Sequence, residues 1–267
     1  MGTIVGNINA VGRKRRLVFS AEYQAIYDAF TIKPSASVAA AQNDLVESLV
    51  DTGVWAKLDT FYVFAGHTNA NGESLINWFN PGTFDATAIN APAFVALEGF
   101  TGDGAASYIN SNYNAATQGI KYLQDSASGG FYSRSNIAET KTDFGALSGN
   151  NRMYINSREV ADVARYVAND NVAVPAANTN SRGMFVSTRT ASNARALYKN
   201  INLLQSGAVI SAGVPNSAFQ FLALTALGAY STKQLSLGFL GGGLVQADIT
   251  NLYNAFQAYM TSNGKQV

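Results

Sequence analysis

From Val54 onward the chain is a succession of short runs rich in Val, Ile, Phe, Tyr and Thr, each closed by Gly, Asn, Ser or Pro. The runs fall at residues 58–65, 94–100, 130–135, 142–147, 152–156, 162–167, 182–189, 196–199, 203–206, 219–224 and 235–240. Strands this short and this frequent, without helical segments between them, predict antiparallel sheets rather than a parallel α/β sheet. About a dozen of them predict a two-sheet jelly-roll sandwich. Residues 199–202, Lys-Asn-Ile-Asn, read as a hairpin turn, because Asn tolerates a positive φ. No repeat of fixed period appears, which argues against a solenoid or propeller.

The flanks are different. Tyr23, Ile26, Tyr27 and Phe30 recur at offsets of three and four and predict one helical face. Pro34 breaks that helix, and Ser35 or Ser37 can cap a second one. Val38, Ala41, Leu45 and Leu49 carry the second stripe, and Gly53 stands where a helix end favours a left-handed residue. Near the C-terminus Val245, Ile249, Leu252, Phe256 and Tyr259 define a closing helix, with Asp248 near its start. Arg13, Lys14, Arg15 and Arg16 form the one basic cluster, with no acid before Glu22. The chain thus divides into a basic arm (1–20), a helical anchoring segment (21–53) and a sandwich with its C-terminal helix (54–267).

Composition excludes several classes. Hydrophobic residues make up 47% of the chain, too many for a disordered protein. A net charge of +1 gives no global field toward nucleic acid. Cysteine is absent and histidine occurs once, at His67, so thiolate chemistry, disulfides and His-rich metal sites are excluded. No apolar run is long enough for a membrane helix, and the first residues do not read as a secretory signal.

Three segments in order resemble the laminin G-like branch of concanavalin A-like lectin/glucanase folds. They are residues 100–109 (Phe-Thr-Gly-Asp-Gly-Ala-Ala-Ser-Tyr-Ile), residues 181–190 with 196–200, and residues 237–241 leading into the last helix. Upstream, Tyr27-Asp-Ala-Phe and then Gly53-Val-Trp-Ala-Lys-Leu-Asp-Thr-Phe-Tyr-Val-Phe64 join a helical prefix to this domain. That arrangement is similar to virion structural proteins of tailed bacteriophages. The resemblance implies a non-enzymatic virion component: a capsid decoration, head fibre or tail-associated protein. Its implied partners are other virion proteins, further copies in a symmetric assembly, and a host-surface glycan. Nucleic acid and membrane are not among them.

Anchoring to such an assembly would fall to Arg13, Lys14, Arg15, Arg16, Tyr23, Tyr27 and Phe30. A sugar site needs an aromatic platform beside hydrogen-bonding side chains, and Trp78 with Asn80 or Tyr132 with Arg134 offer one. Burial of both aromatics in the core is the competing expectation. Glucanases of this fold place carboxylates in a Glu-X-Asp-X-X-Glu pattern; the nearest match, Glu139 and Asp143, has Lys141 between and no third acid, which predicts a salt-bridged surface pair. His67 lies in a Gly-His-Thr-Asn-Ala-Asn-Gly loop, and no nucleophile elbow accompanies it. No cofactor is expected; calcium is the one ion the pattern admits, through Asp103, Asp125, Asp143 or Asp170. A free carbohydrate-binding module is the alternative function, and a glycanase the third.

Overall fold

The computed structural model describes residues 18–267. Four α-helices are present among the described residues: α1 (Ala21–Ala29), α2 (Ala36–Asp51), the single turn α3 (Ala115–Gln118) and α4 (Gln246–Ser262). The strands begin with β1 (Leu58–Tyr62), β2 (Thr87–Ile89), β3 (Ala93–Val95), β4 (Gly99–Thr101) and β5 (Tyr108–Asn110). Next come β6 (Ala127–Ser133), β7 (Phe144–Ser148), β8 (Asn151–Asn156), β9 (Val163–Asp170) and β10 (Val174–Ala177). The hairpins continue with β11 (Gly183–Ala191), β12 (Ala194–Lys199) and β13 (Asn202–Gly207). Last are β14 (Gln220–Phe221), β15 (Ala223–Leu224), β16 (Ala229–Tyr230) and β17 (Gln234–Gly241).

One sheet has eight strands, ordered β13-β12-β11-β6-β17-β4-β3, with β1 also pairing β17. The other has seven, ordered β10-β9-β8-β7-β14-β5-β2. Every pairing is antiparallel, as the short-run pattern predicts. The protein is a mainly β, jelly-roll-like sandwich with a C-terminal helix.

The central strands of the eight-stranded sheet, β6, β11 and β17, are buried on both faces. Phe131, Phe185, Leu197 and Leu240 point toward the second sheet and meet Phe144, Ile155 and Tyr166 there. Their neighbours Tyr132, Met184, Val186, Leu237 and Phe239 point the other way, into a core shared with Tyr23, Leu45, Leu49, Leu252 and Phe256. Period-two alternation feeds two cores from the same strands. Between the sheets, two glycines set the spacing. A Cβ on Gly129 would stand 2.5 Å from the Phe144 ring, and one on Gly238 would stand 2.5 Å from Phe221. Rings of one sheet therefore lie on bare backbone of the other.

The helical layer forms as the sequence predicts. Ser20 and Ser35 cap α1 and α2, accepting from the N–H groups of Tyr23 and Val38. Gly53 takes φ +74° just after α2. The start of α4 is held by Asp248, whose carboxylate accepts from Val245 N–H at 2.9 Å and from Lys57 Nζ at 2.7 Å. Residues 199–202 turn as expected, with Asn200 at φ +55°.

Two runs expected as single strands are broken. Residues 94–100 form the β3–β4 hairpin, turned by Leu97 at φ +61° and Gly99 at φ +119°. Residues 219–224 split into β14 and β15 at Leu222, φ +67°.

Trp78 lies where helices meet sheet. It is 1% exposed, with ring centroids of Tyr23, Phe30 and Phe61 at 6.3, 6.2 and 6.4 Å. Truncating a buried aromatic of this size costs about 3–5 kcal/mol. Trp78→Ala should therefore lower the urea-unfolding free energy by about that amount, in a single transition. A loss below about 1 kcal/mol would place the ring outside the core.

Candidate functional site

Two clusters of ionisable groups converge in the interior of the sandwich. The expectation of a surface pair at Glu139 and Asp143 is corrected. Their shared partner is Lys233, not Lys141, and Lys233 and Asp143 are fully buried. Lys233 Nζ stands 3.1 Å from Glu139 and 3.0 Å from Asp143. Ser231 Oγ lies 2.7 Å from each carboxylate. Thr232 donates to Glu139 through its N–H and hydroxyl, and Ser157 donates likewise to Asp143. Burial opposes a charge on Glu139, but Lys233 and the hydroxyls outweigh it and hold the carboxyl below the usual range. A glycosidase pair flanks an open space about 5 Å or more across. These two carboxylates instead close on one ammonium and tie the start of β7 to the approach of β17.

A second cluster joins β9 to the β11–β12 hairpin. Asp170, 1% exposed, accepts from Arg189 Nη2 at 2.8 Å and from Arg195 Nη1 at 2.7 Å. Arg189 also donates to the carbonyls of Ala168, Ser192 and Val209, and the Arg195 guanidinium lies over the Tyr166 ring at 5.1 Å. A third anchor is Asp59 on β1. It accepts from the N–H groups of Lys121 and Tyr122 and from the Tyr113 hydroxyl at 2.7 Å. Burial, and then the Asp59 charge, push that hydroxyl far above the ordinary tyrosine range. Sequence reasoning missed Lys233, Arg189, Arg195 and Asp59 as structural charges. The carboxylates that Lys233, Arg189 and Arg195 meet lie 19 to 94 residues away, the groups that Asp59 binds lie 54 to 63 away, and nothing local signals them.

The sugar-platform expectation is also corrected. Trp78 is covered by the helices, and Asn80, although exposed, has no open ring beside it from Trp78. Tyr132 is 1% exposed beneath α4; its ring meets Phe256 at 5.1 Å and its hydroxyl donates to Gln257 at 2.8 Å. Arg134 is spent on the Lys265 carbonyl and on Gln234. These residues hold helices to the sandwich. Among the anchoring residues, Tyr23 and Phe30 are internal at 0% and 3% exposure, so neither presents a free apolar face; Tyr27 is half-buried. Arg13, Lys14, Arg15 and Arg16 lie outside the described residues. His67 was expected in a solvated loop. It is half-buried, its Nε2 is 2.7 Å from the Ile32 carbonyl, and its ring stands edge-on to Phe30.

Asp103 accepts from three successive N–H groups, Ala105 to Ser107, which hold its carboxyl well below the usual range. Asp125 accepts from Ser211, while Asp143 and Asp170 face cations. Among the described residues no three acids or histidines converge in a geometry suited to a metal ion.

A concavity of about 560 Å³ lies on the helix side of the eight-stranded sheet, between β12, β13 and the start of α4. Tyr198, half-exposed, provides its aromatic surface. Thr190, Asn193, Ser206 and Gln246 line it with exposed hydroxyl and amide groups. Its one charged lining residue is Arg195, whose guanidinium is already bonded to Asp170. The groove therefore offers a ring and neutral hydrogen-bonding groups, which suits binding of a polyhydroxylated ligand more than acid–base chemistry.

No protein-family model matches the chain, and no curated protein matches it. Solved structures do. A Trypanosoma rangeli sialidase aligns at 15% identity over 80% of this chain and 38% of its own, with a TM-score of 0.51. A structure of botulinum neurotoxin type C, described as interacting with two ganglioside molecules, aligns at 11% identity over 78% of this chain and 53% of its own, with a TM-score of 0.54. A point mutant of HCR/D aligns at 13% identity, covering 75% and 52%, also at 0.54. This chain spans about half or less of each of those proteins. At such identities the likeness establishes the fold alone: a two-sheet antiparallel sandwich, jelly-roll-like.

The buried Glu139–Lys233–Asp143 cluster makes a pH-dependent prediction. Lys233→Met leaves the buried Asp143 and the half-buried Glu139 without their cation and should cost about 3–5 kcal/mol near neutral pH. Glu139 titrates below its unfolded value, so its contribution is present above that value, about 4.3, and is lost as pH falls through the folded value. The deficit of the variant should accordingly shrink when denaturation is repeated below about pH 4. An equal deficit at both pH values would mean that the cluster's charge is not what Lys233 stabilises.

Proposed function

We propose that this chain is a non-enzymatic structural and recognition protein of a symmetric assembly, a tailed-bacteriophage virion, on which it displays a lectin-like sandwich toward host-surface saccharide. The observation that carries the recognition role is the groove beside Tyr198, aromatic on one wall and lined with hydroxyls and amides. The non-enzymatic reading is supported by Glu139 and Asp143, the nearest match to a glycanase carboxylate pair, being closed on Lys233. The virion role is supported by the sequence resemblance of the helical prefix and its Gly53-Val-Trp55 junction. Similar folds in a sialidase and in a ganglioside-interacting neurotoxin are compatible with a saccharide ligand. Display in many copies would turn weak single-site contacts into avidity.

Two measurements test the reading. On a glycan array, the isolated chain should retain a subset of saccharides, and Tyr198→Ala or Asn193→Ala should weaken retention at least about tenfold without changing the melting temperature. No retention at all, or retention indifferent to both substitutions, overturns the saccharide role. In assembled particles, the chain should be recovered at stoichiometric occupancy; a chain found only free in solution would support the free binding module instead.

A further inference from the structure

The edge of a sheet is a row of unpaired N–H and C=O groups, and a strand left there is a template for another strand. Most edges of this sandwich are blunted. β2 and β3 have three residues each, and Pro92 immediately precedes β3. β10 has four residues and carries Pro175. β1 is buried, and its backbone at Phe61 is taken up: Phe61 N–H donates to the Asn77 side chain at 2.9 Å, and Trp78 N–H donates to the Phe61 carbonyl at 2.7 Å.

β13 has none of these devices. It runs for six residues, Asn202–Gly207, pairs β12 on one side, and among the described residues has no strand on the other. It contains no proline and no charge, and from Asn200 to Thr232 the chain has no Asp, Glu, Lys or Arg. Leu203 on the strand and Ile201 just before it are exposed. A long, uncharged edge with exposed apolar side chains is a pairing surface unless something covers it.

We propose that β13 pairs antiparallel with β13 of a second copy of this chain, joining two eight-stranded sheets across a two-fold axis. Antiparallel pairing of identical edges is self-complementary: each bond that one copy makes is repeated by the other, as an isologous contact requires. An uncharged strand brings no repulsion against itself and offers no charge to select a different partner. Ile201 and Leu203, exposed in the single chain, leave water in both copies at once. The contact does not depend on the saccharide reading. Where that reading holds, pairing sets two binding grooves on either side of one seam, because Ser206 and Gly207 of β13 also line the groove beside Tyr198.

Sedimentation equilibrium of the full chain, with hydrogen exchange at both ends of the concentration range, tests the contact. At about 50 μM the wild type should sediment at twice the mass of the chain and dissociate on dilution. Leu203→Lys puts a charge on the edge and should raise the dissociation constant at least about tenfold. Val95→Lys, at a similarly exposed site on the edge strand β3, should leave it unchanged. Unchanged melting temperatures at low concentration show that both variants are folded. If Leu203→Lys does not fold, the wild type decides alone: amides of residues 202–207 should gain protection as concentration rises, and those of β3 should not. A monomer throughout the range overturns the proposal, as does a dimer indifferent to Leu203→Lys or equally weakened by Val95→Lys. Protection of residues 202–207 that is the same at every concentration also overturns it, and assigns the cover of the edge to the chain itself.

Discussion

The eight-stranded sheet has no solvent face over most of its area, and the rest of the molecule follows from that constraint. A strand buried on both sides must be apolar at nearly every position. β17 meets this with Leu235, Leu237, Phe239 and Leu240, and with serine and glycine elsewhere; all of it beyond Gln234 is buried. It pairs β6 on one side and both β4 and β1 on the other, so it is the seam of the sheet. The helices are the third layer of the protein, without which Val186, Leu237 and Phe239 would face water.

Three layers leave little room for open chemistry. Polar groups in the interior must be paired, and charged ones most of all. Lys233 bridges Glu139 and Asp143 at one end of the sandwich. Asp170 joins Arg189 and Arg195 at another. Each cluster links segments distant in sequence, so each fixes register as well as charge. What remains for a ligand is peripheral: the groove where β12 and β13 run past the start of α4, with Tyr198 as its one aromatic.

The fold was largely legible and the site was not, for one physical reason. Helix and strand signals are local. Offsets of three and four, Pro34, a cap at Ser35 or Ser37, and Gly53 located α1 and α2 closely. Strand pattern failed where single residues adopt left-handed angles, as at Leu97 and Leu222, and where strands have three or four residues, as in β2, β5 and β10. Exposure is not local. Whether Trp78 and Tyr132 offer a ring to solvent depends on α1, α2 and α4 lying over them, and apolar stripes show that a helix packs without showing what it covers. Tyr198 has the opposite history: its run predicts a strand, and only the position of α4 leaves its ring beside a groove.

The central claim is that helices and sandwich unfold as one unit through their shared core. Native-state hydrogen exchange with rising denaturant tests this residue by residue. If the claim holds, amides of Leu45, Val46 and Leu49 in α2 and of Leu237 and Phe239 in β17 exchange through the same global opening, with one free energy and one denaturant slope. If the α2 amides exchange through a lower-energy opening while β17 stays protected, the helical layer is an appendage and the account is contradicted.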